Sequence, residues 1–220
     1  MPAAIASHQV CATVLAGGQA TRMGGVDKGL QPFRGQALAQ HALQRLQAQT
    51  DGAPGLIAIN ANRNLEHYAA WGTLVWPDTL ADFAGPLAGF QTALHHSLQH
   101  TPPFEYLLMV PCDSPLFPLD LLQRLAQALH TSGADMAAAA IDEPDRHGVV
   151  QLRAQPVFCL LRTTLHTSLH HYLAAGQRKI SDWMALHPTV QVPFNTPTDH
   201  ARDFFNANTL AQLQQLESLK

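Results

Sequence analysis

Apolar residues fall into short unbroken runs, and between the runs they recur at helical spacing. The runs at 10–15, 55–59, 73–76 and 106–110 are continuous enough to be strands buried on both faces. Between them, residues 37–49 place Leu38, Ala42, Leu43 and Leu46 on one helical face, and residues 65–71 form a brief helix. A further helix opens at Gly85-Pro86-Leu87-Ala88-Gly89 and runs to about residue 100, its proline in the first turn where a missing N–H costs little. Downstream the pattern predicts helix at 118–129, with Leu119, Leu122, Leu125, Ala126 and Leu129 apolar, then a strand at 136–141 despite four alanines. A polar, mobile loop follows over 142–148, and one or two strands over 149–161. Helices at 165–175 and 180–186, a strand at 189–192 and an amphipathic helix at 209–219 complete the chain. Strand–helix alternation of this kind predicts a single three-layer α/β/α domain with a mostly parallel sheet. Residues 1–9 are expected to be flexible.

In such sheets ligands bind beyond the carboxyl ends of the strands. That rule gathers four features into one crevice: the loop 15–28, Asn60, Asp78 and Asp113. The stretch 14–30 reads Val-Leu-Ala-Gly-Gly-Gln-Ala-Thr-Arg-Met-Gly-Gly-Val-Asp-Lys-Gly-Leu. Its five glycines (Gly17, Gly18, Gly24, Gly25 and Gly29) allow close backbone approach, and consecutive N–H groups make an anion-binding concavity. Arg22 and Lys28 supply formal charge for a phosphate chain. The spacing matches neither a P-loop nor a dinucleotide fingerprint, which leaves phosphate binding without the two commonest frames. Asp113, at the end of a buried strand, suits Mg²⁺ held by one carboxylate plus substrate phosphates better than a cap or turn. Asp78, in Pro77-Asp78-Thr79, fits a turn as well as a ligand, and Asn60 and Asn62 fit loop formation as well as binding.

Composition narrows the class further. The 220 residues are 46% apolar and 13% charged, with 13 Lys+Arg against 16 Asp+Glu and a formal net charge of −3. That balance lacks the clustered cation of a nucleic-acid-binding face. No apolar run reaches membrane-span length, and residues 1–9 carry no signal-peptide pattern. Cys11, Cys112 and Cys159 are isolated in apolar runs and form no Cys-x-x-Cys pair, so buried free thiols in a reducing cytoplasm are expected. The adjacent and i, i+4 histidine pairs among residues 95–100 and 166–171 lack the glutamate of a zinc-peptidase motif.

Leu15-Ala16-Gly17-Gly18 with Arg22-Met23-Gly24-Gly25-Val26-Asp27-Lys28 resembles the signature of nucleotidyltransferases, specifically the molybdenum cofactor guanylyltransferases. The likeness continues through Asn60-Ala61-Asn62-Arg63, Gly85-Pro86-Leu87-Ala88-Gly89, Pro111-Cys112-Asp113 and Tyr172-Leu173-Ala174-Ala175-Gly176 to Asn206-Ala207-Asn208-Thr209. It implies a Rossmann-like nucleotidyltransferase that joins the GMP part of GTP to the terminal phosphate of molybdenum-loaded molybdopterin, releasing pyrophosphate. It further implies that Leu15, Ala16, Gly17, Gly18, Lys28, Asn60, Asp78 and Asp113 meet GTP, with Asp113 on Mg²⁺ and Arg22, Lys28 and Asp113 serving catalysis. Residues 10–113 would then be the GTP half and 114–220 the molybdopterin half, with Arg178, Lys179, Asn206 and Asn208 on the pterin. Transient contact with molybdenum-insertion and molybdoenzyme-maturation proteins also follows from the resemblance. Two departures stand out: Leu210, Ala211 and Gln212 replace the proline and acids usual after Asn-x-Asn-Thr, and Asn195-Thr196-Pro197-Thr198-Asp199 imitates that motif earlier. The rival readings are a molybdopterin cytidylyltransferase, a sugar- or polyol-phosphate nucleotidyltransferase, and a non-catalytic molybdopterin carrier.

Overall fold

The computed structural model describes residues 4–18, 26–79, 85–207 and 209–218. Arg22 and Asn208 therefore lie outside the described residues. Strands β1 (Val10–Leu15), β4 (Leu56–Asn60), β5 (Leu74–Trp76) and β6 (Tyr106–Pro111) coincide with the four predicted runs. With β7 (Met136–Pro144), β8 (Val150–Arg162) and β9 (Thr189–Pro193) they form one sheet in the order β5-β4-β1-β6-β8-β7-β9. Two short strands, β2 (Pro32–Phe33) and β3 (Gln36–Ala37), pair separately as a hairpin that the hydrophobic pattern did not announce. Only β8 runs against its neighbours, so the sheet is mostly parallel.

Burial explains why these runs are strands. Successive side chains leave a strand on opposite faces. Accordingly Val10, Ala12 and Val14 join one core, together with α1 (Leu38–Gln47), α2 (Leu65–Ala69) and α4 (Leu121–Ser132). Cys11 joins the other, with α3 (Pro86–Gln99), α5 (His166–Ala174) and α6 (Ile180–Met184). The alanines of β7 alternate in the same way, Ala137 and Ala139 on the first face and Ala138 on the second. Burial on both sides, rather than intrinsic β-propensity, holds that strand. The helix α7 (Leu210–Ser218) crosses back to the first half, where Leu213 and Leu216 pack with Phe33 and Leu38.

One expectation changes. The segment 142–148 is not a loop throughout, because β7 continues to Pro144 and pairs with Val150. Only a tight turn remains, closed by Asp145, whose carboxylate accepts from the N–H groups of His147 (2.8 Å) and Val149 (3.0 Å). Of the one or two strands expected over 149–161, the structure has one, the 13-residue β8. Residues 4–9 include a 3-10 turn, Ser7–Gln9, and Gly55 N donates to Ser7 O at 3.0 Å while Ile5 packs on the core. All three cysteines are buried free thiols, and burial pushes Cys11 up to about 11.

The paired histidines sit against α3 and α5. His96 stacks on Trp76 with centroids 4.5 Å apart, and His95 lies 6.0 Å from His166. Burial first, and then the neighbouring His95, lowers the pKa of both His96 and His166. Above about pH 6.5 these rings are neutral whether the chain is folded or not. Below it the unfolded chain takes up protons that the folded one resists, so stability falls until the lowered folded values are passed. Wild-type protein is therefore expected to melt at a lower temperature at about pH 5.5 than at about pH 7.5, and His166→Gln to reduce that difference. An identical pH dependence in the variant would contradict the assignment.

Candidate functional site

The carboxyl ends of β1, β4, β5 and β6 meet on one rim of the sheet. As the chain leaves β1, Leu15 O accepts from Cys112 N (3.0 Å) and Ala16 N donates to Asn60 O (2.8 Å). The glycine-rich loop thus departs between β4 and β6. Gly17 passes so close to Asn62 that a Cβ there would sit 2.9 Å from the amide nitrogen. Asn62 Nδ2 approaches Gly17 O at 3.5 Å, and the Arg63 guanidinium donates to Gly18 O at 3.2 Å. Past residues 19–25 the loop resumes as a single 3-10 turn, Lys28–Leu30, capped by Asp27, whose Oδ1 accepts from Gly29 N at 3.1 Å.

Lys28 reaches from this turn across the rim and forms an ion pair with Asp113 Oδ2. The two residues are 85 positions apart, and their side chains are only 16% and 17% exposed. The other carboxylate oxygen, Asp113 Oδ1, is buried and has no hydrogen-bond partner among the described residues. An orphaned buried acceptor is costly unless something completes it. A hard cation fits that oxygen. Among the described residues no group of three or more His, Cys, Asp or Glu converges on a point. A single carboxylate of this kind suits a cation that substrate oxygens also hold, which is the habit of Mg²⁺. Beside it, burial first and then Asp113 push the Cys112 thiol far above its ordinary range, so this cysteine is packing.

The adjoining wall is a carboxylate held by amides. Asn60, 2% exposed, donates from Nδ2 to Asp78 Oδ1 (2.8 Å) and to Trp76 O (3.0 Å). Asn62 Nδ2 donates to Asp78 Oδ2 (2.7 Å), and Asp78 N returns a bond to Asn62 Oδ1 (2.8 Å). Asp78 is thus more than a turn residue, because each of its oxygens is aimed by an asparagine. Asn60 and Asn62 are likewise more than loop formers, since both donate to this carboxylate. Their Asn-x-Asn spacing just past a strand end was the available signal for Asn62, which the sequence reading left without a role. Gly89 lets the first turns of α3 close on this wall, since a Cβ there would overlap Asn60 Oδ1 and Leu15 Cδ2.

From the C-terminal half, Asn206 and Ala207 come to the same rim. Ala207 N donates to Asp113 O at 2.9 Å, and Ser114 Oγ donates to Asn206 Oδ1 at 2.7 Å. The look-alike motif is engaged elsewhere: Asn195 Nδ2 donates to Asp142, and Asp199 pairs with Arg124 at 2.7 Å. Burial works against ionisation of Asp199, but the Arg124 hydrogen bond and the Thr196 donors outweigh it and lower its pKa. Arg178 and Lys179 are not brought to this cluster. The Arg178 guanidinium donates to Leu173 O (2.8 Å) and Gln177 O (2.7 Å), and exposed Lys179 pairs with Asp182 (2.7 Å) in the α5–α6 connection.

Comparison with known proteins identifies the family and the fold. A family profile described as "MobA-like NTP transferase domain" matches residues 12–191. The chain is 55% identical over 216 residues to the molybdenum cofactor guanylyltransferase of Acidovorax sp. (strain JS42), covering 98% of both chains. It is 48% identical to the one of Ralstonia nicotianae over 96% of this chain and 98% of that one. Among solved structures, molybdopterin-guanine dinucleotide biosynthesis protein A from Archaeoglobus fulgidus superposes with a TM-score of 0.70 at 18% identity, covering 94% of this chain and 96% of that one. A 4-diphosphocytidyl-2C-methyl-D-erythritol synthase from Anaerococcus prevotii gives 0.69 at 11% identity, covering 94% of each, so the fold is common to both.

Proposed function

Since the chain belongs to the molybdenum cofactor guanylyltransferases, and so is a nucleotidyltransferase enzyme, we propose that it transfers GMP from GTP to the terminal phosphate of molybdenum-loaded molybdopterin and releases pyrophosphate. The observation that carries this reading is the Lys28–Asp113 pair on the rim, with one carboxylate oxygen buried and unsatisfied among the described residues.

The attacking group is a phosphate monoester, whose second pKa is about 6, so at neutral pH it is largely ionised without help from a protein base. No serine, histidine or cysteine has to be activated. The obstacle is the approach of an anionic nucleophile to an anionic triphosphate. Two unit charges at 4 Å interact by about 4 kcal/mol at an effective dielectric of 20, and several such pairs act together. Lys28 holds the triphosphate and offsets part of that charge, and Arg22 adds to it from the same loop. The main chain at Leu15, Ala16, Gly17 and Gly18 meets the nucleotide, the Ala16 N–H itself being committed to Asn60 O. Asp78, aimed by Asn60 and Asn62, keeps lone pairs for the N–H edge of guanine or a ribose hydroxyl. Asp113 Oδ1 would hold Mg²⁺, which when bound neutralises triphosphate charge and polarises the phosphoryl oxygens. Asn206 and Asn208 bind the pterin side, and Arg178 and Lys179 offer cations farther out. The donor half is then 10–113 and the acceptor half 114–220.

The test is pyrophosphate release from purified protein with Mg²⁺ and molybdenum-loaded molybdopterin, comparing GTP with CTP and ATP. Release is expected with GTP well above the others. Preference for CTP would make the enzyme a cytidylyltransferase, release only with a sugar or polyol phosphate would move it to that class, and none with any pair would indicate a carrier.

A further inference from the structure

Three donors converge on the carboxylate of Asp27, the residue directly before Lys28. Tyr68 OH reaches Oδ1 at 2.6 Å, Asn64 Nδ2 reaches Oδ2 at 2.9 Å, and Gly29 N reaches Oδ1 at 3.1 Å. Asp27 O in turn accepts from Gln31 Nε2 at 3.1 Å. Tyr68 is fully buried, and Gly29 lies so near it that a Cβ would overlap the phenol oxygen. Asn64 stands at φ 51°, ψ 35°, a left-handed conformation that asparagine accepts more readily than most residues. At the other end of the glycine-rich loop, Asn62 and Arg63 hold the carbonyls of Gly17 and Gly18. One short segment, residues 62–68, therefore grips the phosphate loop on both sides. The path from α2 to the site is physical at each step: Tyr68 and Asn64 fix Asp27, Asp27 caps the turn, and the turn aims Lys28 at the rim.

We propose that Tyr68 and Asn64 are positioning residues that act through Asp27 to aim Lys28 at the triphosphate. This rests on the reading of Lys28 as the phosphate ligand. Both side chains are engaged with Asp27, so on this proposal each matters only as far as Lys28 does. Misplacing a reacting group by about 1 Å costs on the order of 10²-fold in rate. Tyr68→Phe removes the hydroxyl and keeps the buried ring, while Asn64→Gly removes the amide and keeps the left-handed backbone. Each is expected to lower kcat/KM for pyrophosphate release by about 10- to 100-fold.

A double-mutant cycle separates positioning from scaffolding. In a Lys28→Ala background the same substitutions should cost less than about 2-fold, because the side chain they aim is gone. Measurements are made below the melting temperature of the least stable variant, so a loss of stability does not obscure the coupling. Equal losses in both backgrounds would overturn the proposal and leave Tyr68 a core residue. Full activity of Tyr68→Phe and Asn64→Gly beside a crippled Lys28→Ala would overturn the positioning role alone. Full activity of Lys28→Ala would remove the phosphate reading and this inference with it.

Discussion

Lys28→Ala is expected to lower the rate of pyrophosphate release by about 10²–10³-fold, the usual cost of deleting one preorganised donor at a site of developing charge. The ammonium is held by a 3-10 turn on one side and by Asp113 on the other, so it is already in place when substrate arrives. Little reorganisation is then required during the reaction, which is what makes a fixed charge more effective than a mobile one. The loss should appear mainly in kcat/KM for GTP, since the same charge binds the triphosphate and assists its departure. Lys28→Arg should recover only part of it, because a planar guanidinium does not match the compact contact made by an ammonium. The substitution also strips Asp113 of its ion pair, which costs about 1–3 kcal/mol of stability for a buried charged acceptor. Activity must therefore be compared at a temperature where both proteins are folded. Turnover within a few-fold of wild type would remove Lys28 from the phosphate site.

Asp113→Asn should have an effect of similar size by a different route. The variant keeps the shape of the side chain but loses the charge that makes it a cation ligand. With its carbonyl turned to Lys28, its amide would occupy the buried Oδ1 position, and an N–H donor there repels a metal ion. We expect a loss of about 10²–10³-fold in the Mg²⁺-stimulated rate, and a Mg²⁺ titration that no longer saturates at the wild-type concentration. The two effects should not add, since Lys28 and Asp113 touch and neutralise the same triphosphate. A variant that keeps its normal Mg²⁺ dependence, or remains active in a chelator, would exclude Asp113 as the ligand.

How legible these residues were in the chain differs from one to the next. Asp113 stood out because a carboxylate directly after a buried strand needs a partner. Lys28 stood out because it shares with Arg22 one glycine-rich loop at a strand end, where a solvated surface cation is the weaker reading. Asn60 and Asn62 did not separate from ordinary loop residues, because an asparagine after a strand serves a turn equally well. Only their convergence on Asp78 distinguishes them. Tyr68 was unreadable as anything but core, since one hydroxyl on a buried ring leaves no mark on a hydrophobic pattern. An amphipathic helix follows Asn206-Ala207-Asn208-Thr209, which sets this motif apart from its imitation at Asn195. The structure adds that Ser114 and Asp113 meet that segment, while Asn195 faces Asp142.

By itself the sequence determined the local order: buried apolar runs as strands, helices between them, and a glycine-rich turn after the first strand. These follow from interactions between near neighbours and from the need to cover both faces of a parallel sheet. The extent of β7 and β8 escaped it, because a polar stretch can be held in a hairpin by partner strand and turn hydrogen bonds that no periodicity reveals. The tertiary structure alone decided which polar side chains face one another. Lys28 and Asp113 are 85 residues apart, and their pairing exists because β1 and β6 lie side by side in parallel register. Arg178 and Lys179, adjacent cations in the chain, are instead held by carbonyls and an acid of their own neighbourhood. A charge is visible in a sequence, but its partner depends on topology.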